Sequence, residues 1–215
     1  MKIEQDNYYN EISDGYNNLY KEEQDDKCKF IFSRYNWNEL FKNLELKEKI
    51  NILDLGCGTG ISTLNLIEEL NKYKKFKDKK INIILIDPAK LLLEKIILIE
   101  KGEMYHDPKM ENENYTVIDL NEYELDITIS KINMYGENLN DINFECDFLF
   151  SLTALQNVSN LNKIIEIIKN KKIKNFILSY LYRGKENELD KVIELFEKLE
   201  FKKLLKNNKD IFFVK

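Results

Sequence analysis

The chain has 215 residues, of which 43% are hydrophobic, and a formal net charge of −5. This length can bury one substantial core with a small helical appendage. The longest apolar stretch, Leu91 to Ile99, is broken by Glu94 and Lys95 and is too short to cross a bilayer. The sequence also begins without the apolar segment of a signal peptide.

Residues 1–48 have helical rather than strand periodicity. Their apolar and aromatic positions fall mostly three and four residues apart, at Tyr8, Tyr9, Ile12, Tyr16, Leu19 and Tyr20. We therefore predict an N-terminal helical cap over residues 1–48.

Residues 49–215 alternate between strand and helix patterns, which predicts an α/β domain. The predicted strands are Ile50 to Asp54, Ile81 to Asp87, Asp126 to Met134, Asp147 to Ser151 and Asn175 to Tyr180. The predicted helices are Ile61 to about Lys72, Ala89 to Lys101, Asn160 to Asn170 and Lys185 to Leu199. The pattern of residues 201–215 predicts two further strands joined by a turn at Asn207-Asn208.

The cysteine and histidine content favours a reduced, metal-free protein. Cys28, Cys57 and Cys146 are odd in number and far apart, which fits free thiols and a cytoplasmic location. With the single His106 and no C-x-x-C pattern, no metal site is expected. His106 is interpreted as a solvated residue.

The most informative segment is Ile52-Leu-Asp-Leu-Gly-Cys-Gly-Thr-Gly60, an apolar strand that runs into a glycine-rich loop. Glycines let a backbone turn sharply and let a ligand lie against it, because no Cβ atom intervenes. The spacing differs from the dinucleotide pattern G-x-G-x-x-G, and Asp54 would repel a pyrophosphate. The loop therefore favours a ligand with a positively charged end.

A second strand, Ile81 to Asp87, follows at the distance that one helix would occupy, and it also ends in an acid. In a βαβ unit this acid lies beside the first loop, where its carboxylate can accept hydrogen bonds from both hydroxyls of a ribose. Asp87 is therefore the candidate ribose ligand.

These two motifs resemble those of the class I S-adenosylmethionine-dependent methyltransferases, whose first motif is a hydrophobic pair, an acid, a hydrophobic residue and G-x-G-x-G. The resemblance covers residues 50–215 and implies a Rossmann-like, mostly parallel seven-stranded sheet with an antiparallel last strand. It implies S-adenosylmethionine as cofactor, with contacts from residues of both motifs: Asp54, Gly56, Cys57, Gly58, Thr59, Gly60, Asp87 and Pro88.

The sequence departs from this family where the third strand of the fold ends. The family usually has an acid there that contacts the adenine amine, but the matching Met134-Tyr-Gly-Glu-Asn-Leu139 has Tyr135 in its place. The adenine contact is therefore predicted from Tyr135 or from Glu137, with Gly136 between them, and the sequence leaves both open.

A second departure is an extra segment near residues 102–125. It contains seven acids and one lysine, a net charge of −6, and the acids are Glu103, Asp107, Glu111, Glu113, Asp119, Glu122 and Glu124. We interpret it as a solvated insertion that covers the apolar run Leu91 to Ile99. The alternative is a lid or a partner-docking element.

The loop Ser151-Leu-Thr-Ala-Leu-Gln-Asn157 is expected to line the methyl-acceptor pocket. It lacks the Asn- or Asp-Pro-Pro-aromatic sequence of base-amino methyltransferases. It resembles instead the type 11/25, quinone-biosynthesis methyltransferases and, more loosely, the rRNA guanine-N7 enzymes. Ser151 is a candidate cofactor contact, and Gln156 and Asn157 are candidate acceptor contacts. The resemblance also places the segment from Tyr9 to Tyr16 near the methionine end of the cofactor, where Tyr16 would close the site, with a role for Tyr16 in the helical core equally open.

Charge placement favours a small-molecule acceptor over RNA. The lysine-rich runs at 72–80 and 169–174 connect helix to strand, on the face opposite to the ligand edge of such a sheet. Tyr182 and Arg183 follow a strand on the ligand side and could hold a phosphate or stack on a base. The alternative functions are an RNA methyltransferase that acts with a partner subunit and a non-catalytic scaffold of the same fold. Assembly with a partner protein or as a homodimer also stays open.

Two related nucleotide-fold enzymes also stay open. The glycine spacing disfavours a nicotinamide oxidoreductase. An aminopropyl transferase would prefer the decarboxylated cofactor. No catalytic residue is assigned, because in-line methyl transfer needs a base only if the acceptor must first lose a proton.

Overall fold

The computed structural model describes residues 5–104 and 108–215, and it begins with three helices. These are α1 (Gln5–Glu11), α2 (Tyr16–Phe32) and α3 (Trp37–Leu44). Helix α3 begins where the Asn36 side chain accepts a hydrogen bond from the Glu39 amide, and it buries Trp37, Leu40 and Leu44 at helical spacing. These helices agree with the helical periodicity of the N-terminal sequence.

Seven of the strands in the described chain form one central sheet, and two others form a separate pair. In chain order the strands are β1 (Lys49–Leu55), β2 (Lys80–Asp87), β3 (Ile96–Ile99), β4 (Thr116–Asp119), β5 (Asp126–Asn133), β6 (Phe148–Ser151), β7 (Phe176–Leu181), β8 (Lys203–Lys206) and β9 (Asp210–Val214). The order across the central sheet is β5-β2-β1-β6-β7-β9-β8, and β3 and β4 form the separate pair. Strand β9 runs antiparallel to both of its neighbours, so it alone reverses the direction of this sheet.

Helices cover both faces of the sheet. The remaining helices are α4 (Ile61–Asn71), α5 (Lys74–Lys77), α6 (Lys90–Leu93), α7 (Leu161–Asn170) and α8 (Leu189–Glu197). Side chains alternate along β1, so Ile50 and Ile52 pack with α2 and α4, whereas Leu53 and Leu55 pack with α7 and α8. The sheet thus has a buried core on each face.

The helix predicted from Ala89 to Lys101 is wrong. Helix α6 ends at Leu93, and the following residues form β3, which pairs in parallel with β4 as a separate two-stranded sheet. The Lys131 ammonium donates to the carbonyls of Leu93 (3.2 Å) and Ile96 (2.9 Å) and so binds the connection between α6 and β3. The carbonyls at the end of a helix lack partners within the helix and can be satisfied in this way.

The acidic insertion contributes strand β4 and several core side chains. Ile118, Leu120 and Leu125 are buried, whereas five of its acids are exposed: Glu103, Glu111, Glu113, Glu122 and Glu124. It therefore covers the apolar run at 96–99 by strand pairing. His106, whose solvation was predicted, lies outside the described residues.

None of the helices in the described ranges combines the length and the apolar character that crossing a membrane requires.

Candidate functional site

The candidate site is a cavity of about 50 Å³ at the carboxyl end of the sheet. It lies where the chain leaves β1 for one side of the sheet and β6 for the other, the position at which open α/β sheets bind ligands. Loops after β1, β2 and β6 meet α1 and α2 there. Among the residues that line it are Tyr9, Tyr16, Gly58, Asp87, Thr153 and Asn157.

The glycine loop after β1 is approached closely from two sides. Gly56 and Gly58 have φ values of +75° and +55°, a region that favours glycine. A Cβ atom on Gly56 would lie 2.2 Å from the Cβ of Ala154, and one on Gly58 would lie 3.6 Å from the Tyr16 hydroxyl. The loop therefore presents bare backbone to Ala154 on one side and to Tyr16 on the other.

Asp87 joins the end of β2 to this loop. Its Oδ2 accepts from the Gly58 amide at 2.9 Å, and its Oδ1 accepts from the Ala89 amide at 2.8 Å. Burial raises the pKa of Asp87 to about 6, although both amides favour the charged form. Each carboxylate oxygen retains a lone pair. Asp87 can therefore accept two further hydrogen bonds from a ligand.

Asp54 lies beneath the loop and is fully buried. Its Oδ2 accepts from the hydroxyls of Thr63 (2.6 Å) and Ser62 (3.3 Å), which fixes the start of α4 to β1. Its Oδ1 has no hydrogen-bond partner among the described residues. Burial raises the pKa of Asp54 to about 7 against the effect of the two hydroxyl donors.

The N-terminal helices close the cavity with tyrosines. The Tyr9 hydroxyl accepts from the Asn157 amide at 2.8 Å, and the rings of Tyr9 and Tyr16 lie 6.2 Å apart. Burial raises the pKa of both tyrosines, so both are protonated at neutral pH. The Asn10 side chain accepts from the Leu91 amide at 2.9 Å and docks α1 onto α6. Ligand sites usually measure several hundred Å³, so the cavity in this conformation is small for a ligand.

The structure brings only part of the predicted site to the cavity. The predicted residues that line it are Tyr16, Gly56, Cys57, Gly58, Thr59, Asp87 and Asn157. The predicted residues outside its lining are Asp54, Gly60, Pro88, Tyr135, Gly136, Glu137, Ser151, Gln156, Tyr182 and Arg183.

The two adenine candidates have different surroundings. Glu137 accepts from the amide and the hydroxyl of Ser159, both at 2.8 Å, and so holds the segment before α7. Tyr135 is 46% exposed. Between them Gly136 is buried, and a Cβ on it would lie 2.9 Å from a methyl group of Leu55.

Several predicted contacts serve the framework around the cavity. The Ser151 hydroxyl donates to the Leu55 carbonyl at 2.7 Å and joins β6 to β1. Gln156 donates to the Thr153 carbonyl at 2.6 Å. Tyr182 donates to the Asn207 carbonyl at 2.9 Å, at the turn between β8 and β9, and Arg183 is exposed. These bonds shape the loops that carry the cavity.

The sequence alone singled out neither Lys27 nor the individual roles of Tyr9 and Thr153. Tyr9 and Thr153 belong to the segments 9–16 and 151–157, which were predicted to lie near the cofactor and to line the acceptor pocket, and both line the cavity. Thr153 does so with φ +54°, and the Lys27 ammonium donates to its hydroxyl from α2. The Lys27 contact joins elements that are distant in the sequence, so no local pattern reveals it.

Comparison with known proteins identifies the fold. The sequence matches no family model and no curated protein. Among solved structures it is similar to the CurJ carbon methyltransferase, with a TM-score of 0.51 and 12% identity over 81% of this chain and 50% of that one. The chain has the class I methyltransferase fold. The predicted Rossmann-like sheet with its antiparallel strand is thus confirmed.

Other solved structures are similar at lower scores. A methyltransferase from Aquifex aeolicus has a TM-score of 0.49 and 14% identity over 88% of this chain and 96% of that one. A precorrin-6y C5,15-methyltransferase from Geobacter metallireducens has a TM-score of 0.44 and 12% identity, over 82% and 84%. The chain spans only half the length of the CurJ structure. The narrower resemblance to the quinone-biosynthesis type stays a prediction.

Proposed function

We propose that this protein is an S-adenosylmethionine-dependent methyltransferase that acts on a small molecule. The observation that carries the proposal is the cavity at the β1–β6 crevice, where Asp87 bonds the bare backbone of the glycine loop. A ligand at that point would meet backbone without Cβ atoms and a carboxylate with lone pairs to spare. Both features suit an adenosine ligand with free ribose hydroxyls.

The residues present fit this cofactor. Asp87 would accept from the ribose hydroxyls, and Gly56 and Gly58 would allow the ligand to approach the loop. Asp54 supports the loop from below through Ser62 and Thr63. When bound, the cofactor would supply a methyl group on a sulfonium for in-line displacement.

Tyr135 is the better adenine candidate of the two that the sequence leaves open. The Glu137 Oε1 already accepts two hydrogen bonds from Ser159, which hold this side chain at the segment before α7. The Tyr135 ring is large, partly exposed and adjacent to the buried Gly136. Aromatic rings stack well on adenine.

The charge of the cavity favours a small acceptor without phosphate groups. Asp87 is the sole ionised side chain among the described residues that line it, and none of them is lysine or arginine. An RNA backbone would need such cations close to the transfer point. Tyr182 and Arg183, the candidates for that task, lie outside the lining.

Catalysis would rest on alignment of donor and acceptor. Methyl transfer gains most from holding the reacting atoms at short distance and in line. Tyr9 and Asn157, joined by a hydrogen bond, line the cavity together with Asp87, and Tyr9 is protonated at neutral pH, since burial raises its pKa even further above neutrality. Tyr9 would therefore donate a hydrogen bond to the acceptor rather than remove a proton from it.

The small size of the cavity favours a second candidate, a non-catalytic scaffold of the same fold. The cavity measures about 50 Å³, so a cofactor would need more room than the lining side chains leave in this conformation. A scaffold that holds a partner protein would need no such room.

Calorimetry with S-adenosylmethionine and S-adenosylhomocysteine separates these candidates. We expect micromolar binding by the wild-type protein and a loss of at least about tenfold in Asp87→Asn, because an amide is a poorer acceptor for two hydroxyls. Asp126→Asn, an exposed residue at the start of β5, is the matched control and should bind normally. Absence of binding by the wild type would favour the scaffold. Tighter binding of NADH or of decarboxylated S-adenosylmethionine would indicate the related enzymes.

A further inference from the structure

Thr153, in the loop after β6, has an unusual backbone conformation that three other residues maintain. Its φ of +54° is rare for a β-branched residue. Its amide donates to the Ser179 hydroxyl at 2.7 Å, and its carbonyl accepts from the Gln156 side chain at 2.6 Å. Its hydroxyl accepts from the Lys27 ammonium at 2.9 Å. Such conformations persist only where the surroundings over-determine them, and they concentrate at functional sites.

Lys27 reaches Thr153 from the middle of α2 and is itself 3% exposed. Its ammonium lies 2.7 Å from Glu23 and 3.0 Å from Asp210, in addition to Thr153. The Thr153 hydroxyl and these two carboxylates surround the ammonium; Asp210 acts through its charge, since neither of its oxygens has a hydrogen-bond partner among the described residues. Asp210 begins β9 and is fully buried. Lys27 therefore links an N-terminal helix, the last strand and the loop after β6.

The neighbour of Thr153 connects this link to the cavity. Ala154 packs so closely on Gly56 that a Cβ atom added to Gly56 would lie 2.2 Å from the Cβ of Ala154. Thr153 and Ala154 both line the cavity. A rotation of the Thr153 backbone would therefore move Ala154 against the glycine loop.

We propose that Lys27 is a positioning residue, which holds Thr153 in its left-handed conformation and thereby sets the loop 152–154 against the glycine loop that receives the cofactor. This inference rests on the proposed function. Lys27 does not line the cavity and so acts through Thr153.

The main test removes the Thr153 hydroxyl without removing the backbone conformation. Thr153→Gly tolerates a positive φ but frees the loop from Lys27, whereas Thr153→Ser keeps the hydroxyl. Lys172→Gly is the matched control, since Lys172 has the same φ of +54° in an exposed turn before β7. The probe is S-adenosylhomocysteine, with affinity measured by calorimetry and folding by the thermal midpoint.

We expect Thr153→Gly to bind about tenfold more weakly, since small displacements of positioning groups have large effects. Its thermal midpoint should stay within about 4 °C of the wild type, because release of strain offsets the lost hydrogen bond. Thr153→Ser should restore binding to within about twofold, and Lys172→Gly should leave affinity unchanged.

A mutant cycle distinguishes positioning from simple stabilisation. Lys27→Met combined with Asp210→Asn removes both buried charges together, which avoids an unpaired ion. We expect this double substitution to weaken binding about tenfold in the wild-type background. In a protein that already carries Thr153→Gly, it should weaken binding by no more than about a further twofold. Losses that add fully, or a Thr153→Gly variant that binds like the wild type, would overturn the inference. A wild-type protein that binds neither cofactor form would refute the proposed function first, and this inference with it.

Discussion

Two glycines of one loop show how differently neighbouring positions respond to a single methyl group. Gly56 combines a positive φ with the Ala154 contact, whereas Gly58 has the positive φ but ordinary distances to its neighbours. We expect Gly58→Ala to lower the unfolding free energy by about 1–2 kcal/mol, the usual cost of a left-handed residue. Gly56→Ala should cost roughly 2–5 kcal/mol, because overpacking adds to that term.

Urea unfolding of the two variants measures this difference. Adding Ala154→Gly to Gly56→Ala should recover about 1–3 kcal/mol, since it removes the atom that the new Cβ meets. No recovery would mean that backbone strain alone governs this position.

Asp54 should make the protein less stable as pH rises. Its folded-state pKa of about 7 exceeds the unfolded value near 4, so between these limits the folded chain binds the proton more tightly. Stability therefore falls as pH rises through this window and is level above it. We expect Asp54→Asn to gain about 2–3 kcal/mol relative to the wild type between pH 5 and pH 8. If the unfolding free energies of the wild type and Asp54→Asn changed in parallel with pH, this would contradict a raised pKa of the buried Asp54.

Among the secondary structure elements, α1 and the first turn of α2 govern access to the cavity. Tyr16 stands over Gly58, and α1 is docked on α6 through Asn10. If α1 and α2 must move before a ligand enters, the apparent association rate falls with the fraction of the open form. We expect Tyr16→Ala to raise the association rate of S-adenosylhomocysteine by about tenfold.

Tyr16→Phe keeps the ring and is the control for that experiment. It should associate within about twofold of the wild type, because the ring rather than the hydroxyl fills the space. Stopped-flow fluorescence would measure both rates. Equal rates for Tyr16→Ala and the wild type would show that the helices do not limit access.

Across the whole molecule, local sequence patterns were enough to predict the strands of the main sheet, but they did not predict that β3 pairs with β4. The apolar runs of β1 and β2 and the glycines after β1 are local signals, so the sheet and its ligand edge could be predicted. The run at 96–99 is equally apolar, yet its strand state depends on Thr116–Asp119 and on Lys131. Short apolar runs do not distinguish helix from strand by themselves.

The candidate site was predictable to the same extent. Asp87 and the glycines follow strands that local pattern reveals, and the structure brings them together. The positive φ of Thr153 and the partners of Lys27 depend on β9 and α2, which lie far away in the sequence. Such roles become visible only when the elements are assembled.

The partners of Lys27 also set an order for folding during synthesis. The ribosome releases α2 long before Asp210, and the neighbouring pair Glu23–Lys209 spans 186 positions. Until β9 is made, burying the Lys27 ammonium would leave it without its strand partner, which is unfavourable. Helix α2 is therefore expected to dock only after β9 has been translated, so nascent chains should expose the glycine loop until then.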